Sequence, residues 1–166
     1  MRRAALLLIV PALALSGCGL QPLYAGGGQA AVAQGLGGVS VPAISGKAGW
    51  LMRNALVDRL GPQPEGQAAR YRLDVRLDDK LAGLGLLSND TVGRERRTLR
   101  ARYQLVELST GTVLLDATAG SDAGLDVVSS EYATVAAEQT ALENLTQVVA
   151  DRIVTSLALK LRAQRK

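Results

Sequence analysis

One thiol, no imidazole and a run of guanidinium groups are the reactive chemistry this sequence offers. The absence of histidine removes the usual general base, the Ser/His and Cys/His pairs and the commonest zinc ligand. No Gly-x-Ser-x-Gly elbow, phosphate-binding loop or dinucleotide fingerprint occurs. The run Gly83-Leu84-Gly85-Leu86-Leu87 has two glycines but lacks the third at the required spacing. The adjacent carboxylates Asp78 and Asp79 fall at a strand end, where such pairs are usually solvated. These residue types name no catalytic group, no metal ligand set and no cofactor site. What remains is Cys18 and the arginines Arg94, Arg96, Arg97, Arg100 and Arg102. Guanidinium groups grip phosphate bidentately, so the five arginines are candidates for an anionic, phosphate-bearing ligand. The competing reading is a solvated sheet face balanced by Asp74, Asp78 and Glu107.

Cys18 is the only cysteine, and its setting gives it meaning. Arg2 and Arg3 precede an apolar stretch from Ala4 to Leu15, and small residues lead up to the cysteine. That is the layout of a secretory signal peptide, and the apolar run is too short to span a bilayer. Leu15-Ser16-Gly17-Cys18 resembles a bacterial lipobox; the alternative is a signal peptide with a chance cysteine. The resemblance implies cleavage before Cys18, a diacylglycerol on its sulfur and an acylated new amino terminus. Each buried acyl methylene contributes about 0.8 kcal/mol, so two or more chains anchor firmly where one binds marginally. Gly19 and Leu20 follow with no aspartate, which resembles the outer-membrane case in lipoproteins of this kind. Loss of residues 1–17 takes Arg2 and Arg3 from the 19 basic residues, against 15 acidic ones. The small charge left gives no sign of a nucleic-acid partner. A lipidated Cys18 also leaves no thiol for a disulfide.

The chain divides into a leader (1–17), a lipidated tether (18–38) and one domain (39–166). The tether is rich in glycine and alanine, and about 20 flexible residues have a root-mean-square span of roughly 25 Å. Val39 to Ile44 reads as a short strand, put at an edge by Pro42, which cannot donate to a ladder. A helix is expected from about Lys47 to Leu60, with Ser45 as cap and Gly61-Pro62 as stop. Tyr71, Leu73, Val75 and Leu77 alternate with charged residues, giving a strand from Arg70 to Leu81. A second strand is expected from Thr91 to Glu107 and a third from Thr112 to Ala119, joined by a tight turn at Ser109-Thr110-Gly111. In the third, Val113, Leu115, Ala117 and Ala119 share one face. From Glu131 to Arg162, Val135, Leu142, Leu145, Val149, Ile153, Leu157 and Leu161 recur at helical spacing. The fold class is therefore α+β, a two-layer sandwich with two helices on one face of a four-stranded mixed sheet, in the order β-α-β-β-β-α. Arg96, Arg100 and Arg102 share the phase that points away from the helices. The leucines Leu84, Leu86 and Leu87 sit where polar turn residues are expected; they are candidates for partner contact, or for an ordinary strand extension. Trp50, the only tryptophan, is read as core by default, with interface anchoring as the other use.

The lipobox, then Cys18-Gly19-Leu20-Gln21-Pro22-Leu23-Tyr24, then this element order resembles the LptE family of lipopolysaccharide-assembly lipoproteins. Arg53-Asn54-Ala55-Leu56 is similar to the family's Arg-Asn-x-Leu pattern. Ala101-Arg102-Tyr103-Gln104, Glu131-Tyr132-Ala133 and Ala137-Glu138-Gln139 also resemble it. The resemblance implies a non-catalytic lipoprotein of the outer membrane, lipid-anchored and facing the periplasm. It also implies a partner, the LptD-type β-barrel that inserts lipopolysaccharide, whose lumen the lipoprotein plugs and whose assembly it assists. Lipopolysaccharide itself is an implied ligand, and its lipid A phosphates suit the five arginines. The long glycine-rich tether departs from better-known members. Two other functions compete. One is an accessory lipoprotein of another envelope transport system, such as an ABC-type lipid transporter. The other is an envelope hydrolase, which the missing histidine and nucleophile motifs argue against.

Overall fold

A strand that alternates apolar and charged residues buries one face, and three such strands account for the sheet here. The computed structural model describes residues 36–62, 66, 68–84 and 93–164. Cys18, Leu86 and Leu87 lie outside the described residues, as do the leader and the tether up to residue 35. The elements are β1 (Val39–Ser40), α1 (Gly46–Leu60), β2 (Tyr71–Gly83), β3 (Arg94–Glu107), β4 (Val113–Asp126) and α2 (Glu131–Ala163). The sheet order is β1-β2-β3-β4, with β1 parallel to β2 and the other pairs antiparallel. This is the expected two-layer α+β sandwich with a mixed four-stranded sheet.

The register lines up the apolar positions. Leu73 lies opposite Leu105 and Val75 opposite Tyr103; Leu105 then faces Leu115 and Tyr103 faces Ala117. Leu73, Leu99, Ala101, Tyr103 and Leu105 are buried beneath the helices. Along β4 the same face carries Ala117, Ala119, Ser121 and Ala123, small residues that let α2 lie close over β3 and β4. The buried stripe of α2 is wide, with adjacent pairs Leu145–Thr146, Val149–Ala150, Ile153–Val154 and Leu157–Ala158. Thr146, the one polar side chain in the described core, donates its hydroxyl to the Leu142 carbonyl at 2.7 Å.

Side-chain pairs fix the helix layer. Lys47 donates to Gln139 at 2.7 Å, and Arg59 bonds Asp151 at 2.5 Å and Gln147 at 2.8 Å. The start of α1 therefore meets α2 eight residues in, its end meets α2 twelve residues further on, and the two helices run parallel. The first turns of α2 extend beyond α1. This explains why Val135, whose spacing puts it on the apolar stripe, is exposed.

Four local expectations need correction. β1 stops at Ser40 rather than continuing to Ile44, because Pro42 offers no donor to a ladder. Ser45 occupies the cap position of α1 without a side-chain cap bond; at α2 the Ser130 hydroxyl accepts from the Ala133 N–H at 3.4 Å. β4 runs on to Asp126, seven residues past Ala119, because pairing with Arg94–Arg100 of β3 carries the weak sequence Gly120-Ser121-Asp122-Ala123-Gly124. The ladder slips between Leu105 and Val106, so Val113 pairs with Val106 and is exposed rather than sharing the face of Leu115. The turn closing this hairpin needs Gly111, whose φ of 71° suits no β-carbon.

Gly49 shows how closely α1 approaches the chain that feeds it. A β-carbon there would collide with the Ile44 carbonyl, which is backbone and cannot rotate away. Gly49→Ala is expected to destabilise the fold by about 1–3 kcal/mol through overpacking, despite a helix-propensity gain of about 1 kcal/mol. Thermal unfolding followed by circular dichroism measures it, and an unchanged or raised melting temperature would refute the close contact.

Candidate functional site

The helices cover one face of the sheet and leave the other bare. Even-numbered positions of the three long strands carry this open face: Arg72, Asp74, Arg76, Asp78 and Lys80 on β2, and Arg94, Arg96, Thr98, Arg100, Arg102 and Gln104 on β3. β4 contributes Asp116, Thr118, Gly120, Asp122, Gly124 and Asp126. Strand pairing, not sequence proximity, builds the charged surface.

Four of the five expected arginines come together here. Arg102 bonds Asp116 at 3.0 Å, and Gln104 donates to the same carboxylate at 2.8 Å. Arg94 pairs with Asp126 at 3.1 Å and Arg100 with Asp122 at 3.7 Å. Arg96 and, on the neighbouring strand, Arg76 have no ion pair among the described residues. The hydrogen bond from Arg102, and then that from Gln104, holds the Asp116 carboxyl below the usual carboxylate range. The same contact raises the Arg102 guanidinium. A depressed carboxylate favours the folded state above its unfolded value, and that contribution fades as pH falls through the folded one. These counter-charges come from β4, not from the Asp74, Asp78 and Glu107 expected; Asp74 and Asp78 pair instead with Arg72 and Lys80, and Glu107 with Arg70.

Two glycines shape the strip. Gly120 lies opposite Arg100 and Gly124 opposite Arg96. The Arg100 side chain lies across Gly120, where any β-carbon would strike it, and the space above Gly124 is open. Arg100 is thus laid down over Gly120, and Arg96 borders open space above Gly124. The exposed ion pairs nearby contribute little each and can exchange for a better anion.

Arg97 stands apart. Its odd position puts it on the helix face with Leu99, where it grips Asp79 through two bonds of 2.9 and 2.6 Å. A third bond, of 2.9 Å, goes to the Glu138 carbonyl in α2. The hydrogen bond that Arg97 donates to Asp79 raises the guanidinium against the opposing cost of burial. Both side chains are largely buried, 16 % and 22 % exposed. Arg97 therefore ties α2 to the sheet. Arg97→Ala leaves Asp79 unpaired and is expected to cost about 1–3 kcal/mol. A double-mutant cycle with Asp79→Ala measures the coupling, and additive losses would show that the pair contributes nothing.

The apolar candidates divide differently. Trp50 is 64 % exposed near the start of α1, so it is not core. Leu84 is exposed just past β2, at the end of the sheet where Gly83 pairs with Glu95 and Arg94 with Asp126. Val128, Tyr132 and Val135, around the start of α2, are exposed near that same end. Arg94 and Arg96 therefore border an apolar tip that spacing alone did not reveal. Among the described residues no group of His, Cys, Asp or Glu is arranged to hold a metal, and no helix is long and apolar enough to cross a membrane.

Two parallel helices over one face of a four-stranded sheet, in the order β-α-β-β-β-α, with the opposite face charged and covered by no described helix or strand, define a small two-layer module. That fold is shared with solved bacterial lipoproteins. A lipoprotein from Caulobacter crescentus aligns with a TM-score of 0.65 at 23% identity, covering 80% of this chain and 97% of that one. The rare lipoprotein B from Shewanella oneidensis aligns with a TM-score of 0.60 at 14% identity, covering 77% and 97%. A lipoprotein B from Nitrosomonas europaea follows with a TM-score of 0.52 at 12% identity, covering 70% and 77%. A comparison with curated proteins finds no match. The profile of the LptE lipopolysaccharide-assembly family matches residues 36–157, and the chain belongs to that family. Its role therefore lies in lipopolysaccharide assembly.

Proposed function

We propose that this chain is a non-catalytic, lipid-anchored subunit of the outer membrane that occupies the lumen of an LptD-type β-barrel. There its open sheet face contacts lipopolysaccharide during transport to the cell surface. Family membership over the folded domain supports the barrel partner. The observation that carries the ligand is the strip of Arg96, which has no ion pair among the described residues and open space above Gly124 beside it, and Arg100, whose contact with the exposed Asp122 is long at 3.7 Å. A phosphate has room to approach both, and charge-assisted bidentate bonds are stronger than the neutral hydrogen bonds water offers. The exposed Leu84, Val128 and Tyr132 lie next to the basic end of the strip, as an amphiphile with phosphates and acyl chains would require. The anchor is Cys18, and the tether gives the domain reach from the membrane.

Affinity purification from detergent-solubilised envelopes tests the assignment. A stoichiometric outer-membrane barrel should copurify with the full, lipidated chain. Recovery of an inner-membrane transporter complex in its place would make the protein an accessory of a different export system.

A further inference from the structure

The two edges of the sheet are unlike, and the difference points to a self-association surface. β1 covers only the first residues of β2, pairing Val39 with Tyr71 and Ser40 with Arg72. Tyr71 donates its N–H to the Gly38 carbonyl, on the β1 side, at 3.0 Å, whereas Leu84 bonds Arg94 on the β3 side. In this ladder the odd-numbered residues Val75, Leu77, Asp79 and Leu81, beyond the last β1 pair, present N–H and C=O groups to the outer edge, and no described backbone meets them. An unpaired edge of this length is a template for another strand. The β4 edge is protected instead. Its outward positions alternate Asp116, Asp122 and Asp126 with Gly120 and Gly124, and Arg152 donates to the Gly120 carbonyl.

We propose that β2 from Asp74 to Lys80 pairs antiparallel with the same segment of a second copy, about a twofold axis at Leu77. Two observations select that occupant and register. Beginning at Asp74, past the Ser40–Arg72 pair, the pairing avoids the strip already taken by β1. On the open face it sets Asp74 against Lys80 of the second copy and Arg76 against Asp78, so Arg76, which has no ion pair among the described residues, gains one. Moving each copy by one residue would set Arg76 against Lys80 and Asp78 against itself, and like charges directly opposite are destabilising. A groove of about 420 Å³ beside Leu73–Arg76, bounded by Pro42 and Ile44, leaves room at that end of the pair. A single strand pair is a small interface, so the association is transient. It does not depend on the barrel assignment.

Two differently tagged full-length copies, coexpressed and captured from detergent-solubilised envelopes, test the pairing. Each wild-type copy should capture the other. Arg76→Asp in both copies should reduce capture about tenfold, as should Asp78→Arg in both. One copy carrying Arg76→Asp with the other carrying Asp78→Arg should restore it, because both contacts then join opposite charges. Absence of wild-type capture, loss that the mixed pair fails to recover at wild-type protein levels, or insensitivity to either reversal overturns the proposal. If Asp78→Arg beside Arg100 lowers the protein level, the Asp74→Lys and Lys80→Asp pair gives the same readout.

Discussion

Replacing Cys18 with alanine is expected to release the protein from the membrane fraction into the soluble envelope fraction. A single acyl chain binds a bilayer with a partition constant of about 10⁴ M⁻¹, and further chains multiply that value, so anchoring rests on the lipids rather than on the polypeptide. No described helix is long and apolar enough to hold the chain in their place. The membrane-bound share should fall by about 100-fold or more, set by the loss of at least two chains, and palmitate labelling should disappear. The folded domain should survive, because Leu36 onward carries the buried core. A Cys18→Ala protein that still sediments with membranes and still incorporates palmitate would show that the lipid sits elsewhere.

Reversing Arg96, Arg100 and Arg102 to glutamate is expected to lower lipopolysaccharide affinity by about 30-fold or more. Each charge-assisted hydrogen bond contributes roughly 1.5–3 kcal/mol when formed, exposure reduces that figure, and reversal adds repulsion where attraction stood. Arg96 should dominate, since it has no ion pair among the described residues, whereas Arg102 must first leave Asp116 and Gln104. Raising ionic strength should weaken wild-type binding for the same reason. The melting temperature should change little, because all three side chains lie on the open face. Binding of purified lipopolysaccharide by wild-type and triple-variant protein, with Arg97→Lys as a helix-face control, measures this. Unchanged affinity in a folded triple variant would return the strip to an ordinary solvated surface.

Legibility in the sequence followed the strength of alternation. Tyr71 to Leu77 and Leu99 to Leu105 alternate cleanly, and their strands and buried face were readable. Gly120 to Gly124 has no such pattern; only pairing with β3 makes it a strand, so the length of β4 could not be read locally. The same gap concealed the counter-charges, because the parity of Asp116, Asp122 and Asp126 has meaning only once the register is known. Arg97 was a missed signal of another kind. It shares parity with Leu99, which argues for the helix face, but grouping five arginines by proximity overrode it. Val135 failed for a tertiary reason: spacing describes a helix face, and the parallel offset of α1 along α2 decides which part of that face is covered; Trp50, read as core from its residue type, is exposed although Gly49 and Met52 beside it are buried. The lipidation signal read at Cys18 depends on local residue order alone, and Cys18 lies outside the described residues.

The most direct test of the account is photocrosslinking in growing cells with a photoreactive amino acid at Thr98, between Arg96 and Arg100, and a control at exposed Leu159 on α2. The account predicts a lipopolysaccharide adduct and a barrel adduct from Thr98, with the lipopolysaccharide adduct absent at Leu159 and lost when Arg96 and Arg100 are reversed. Lipopolysaccharide captured equally from both positions, or from neither while the protein is folded and anchored, would contradict it.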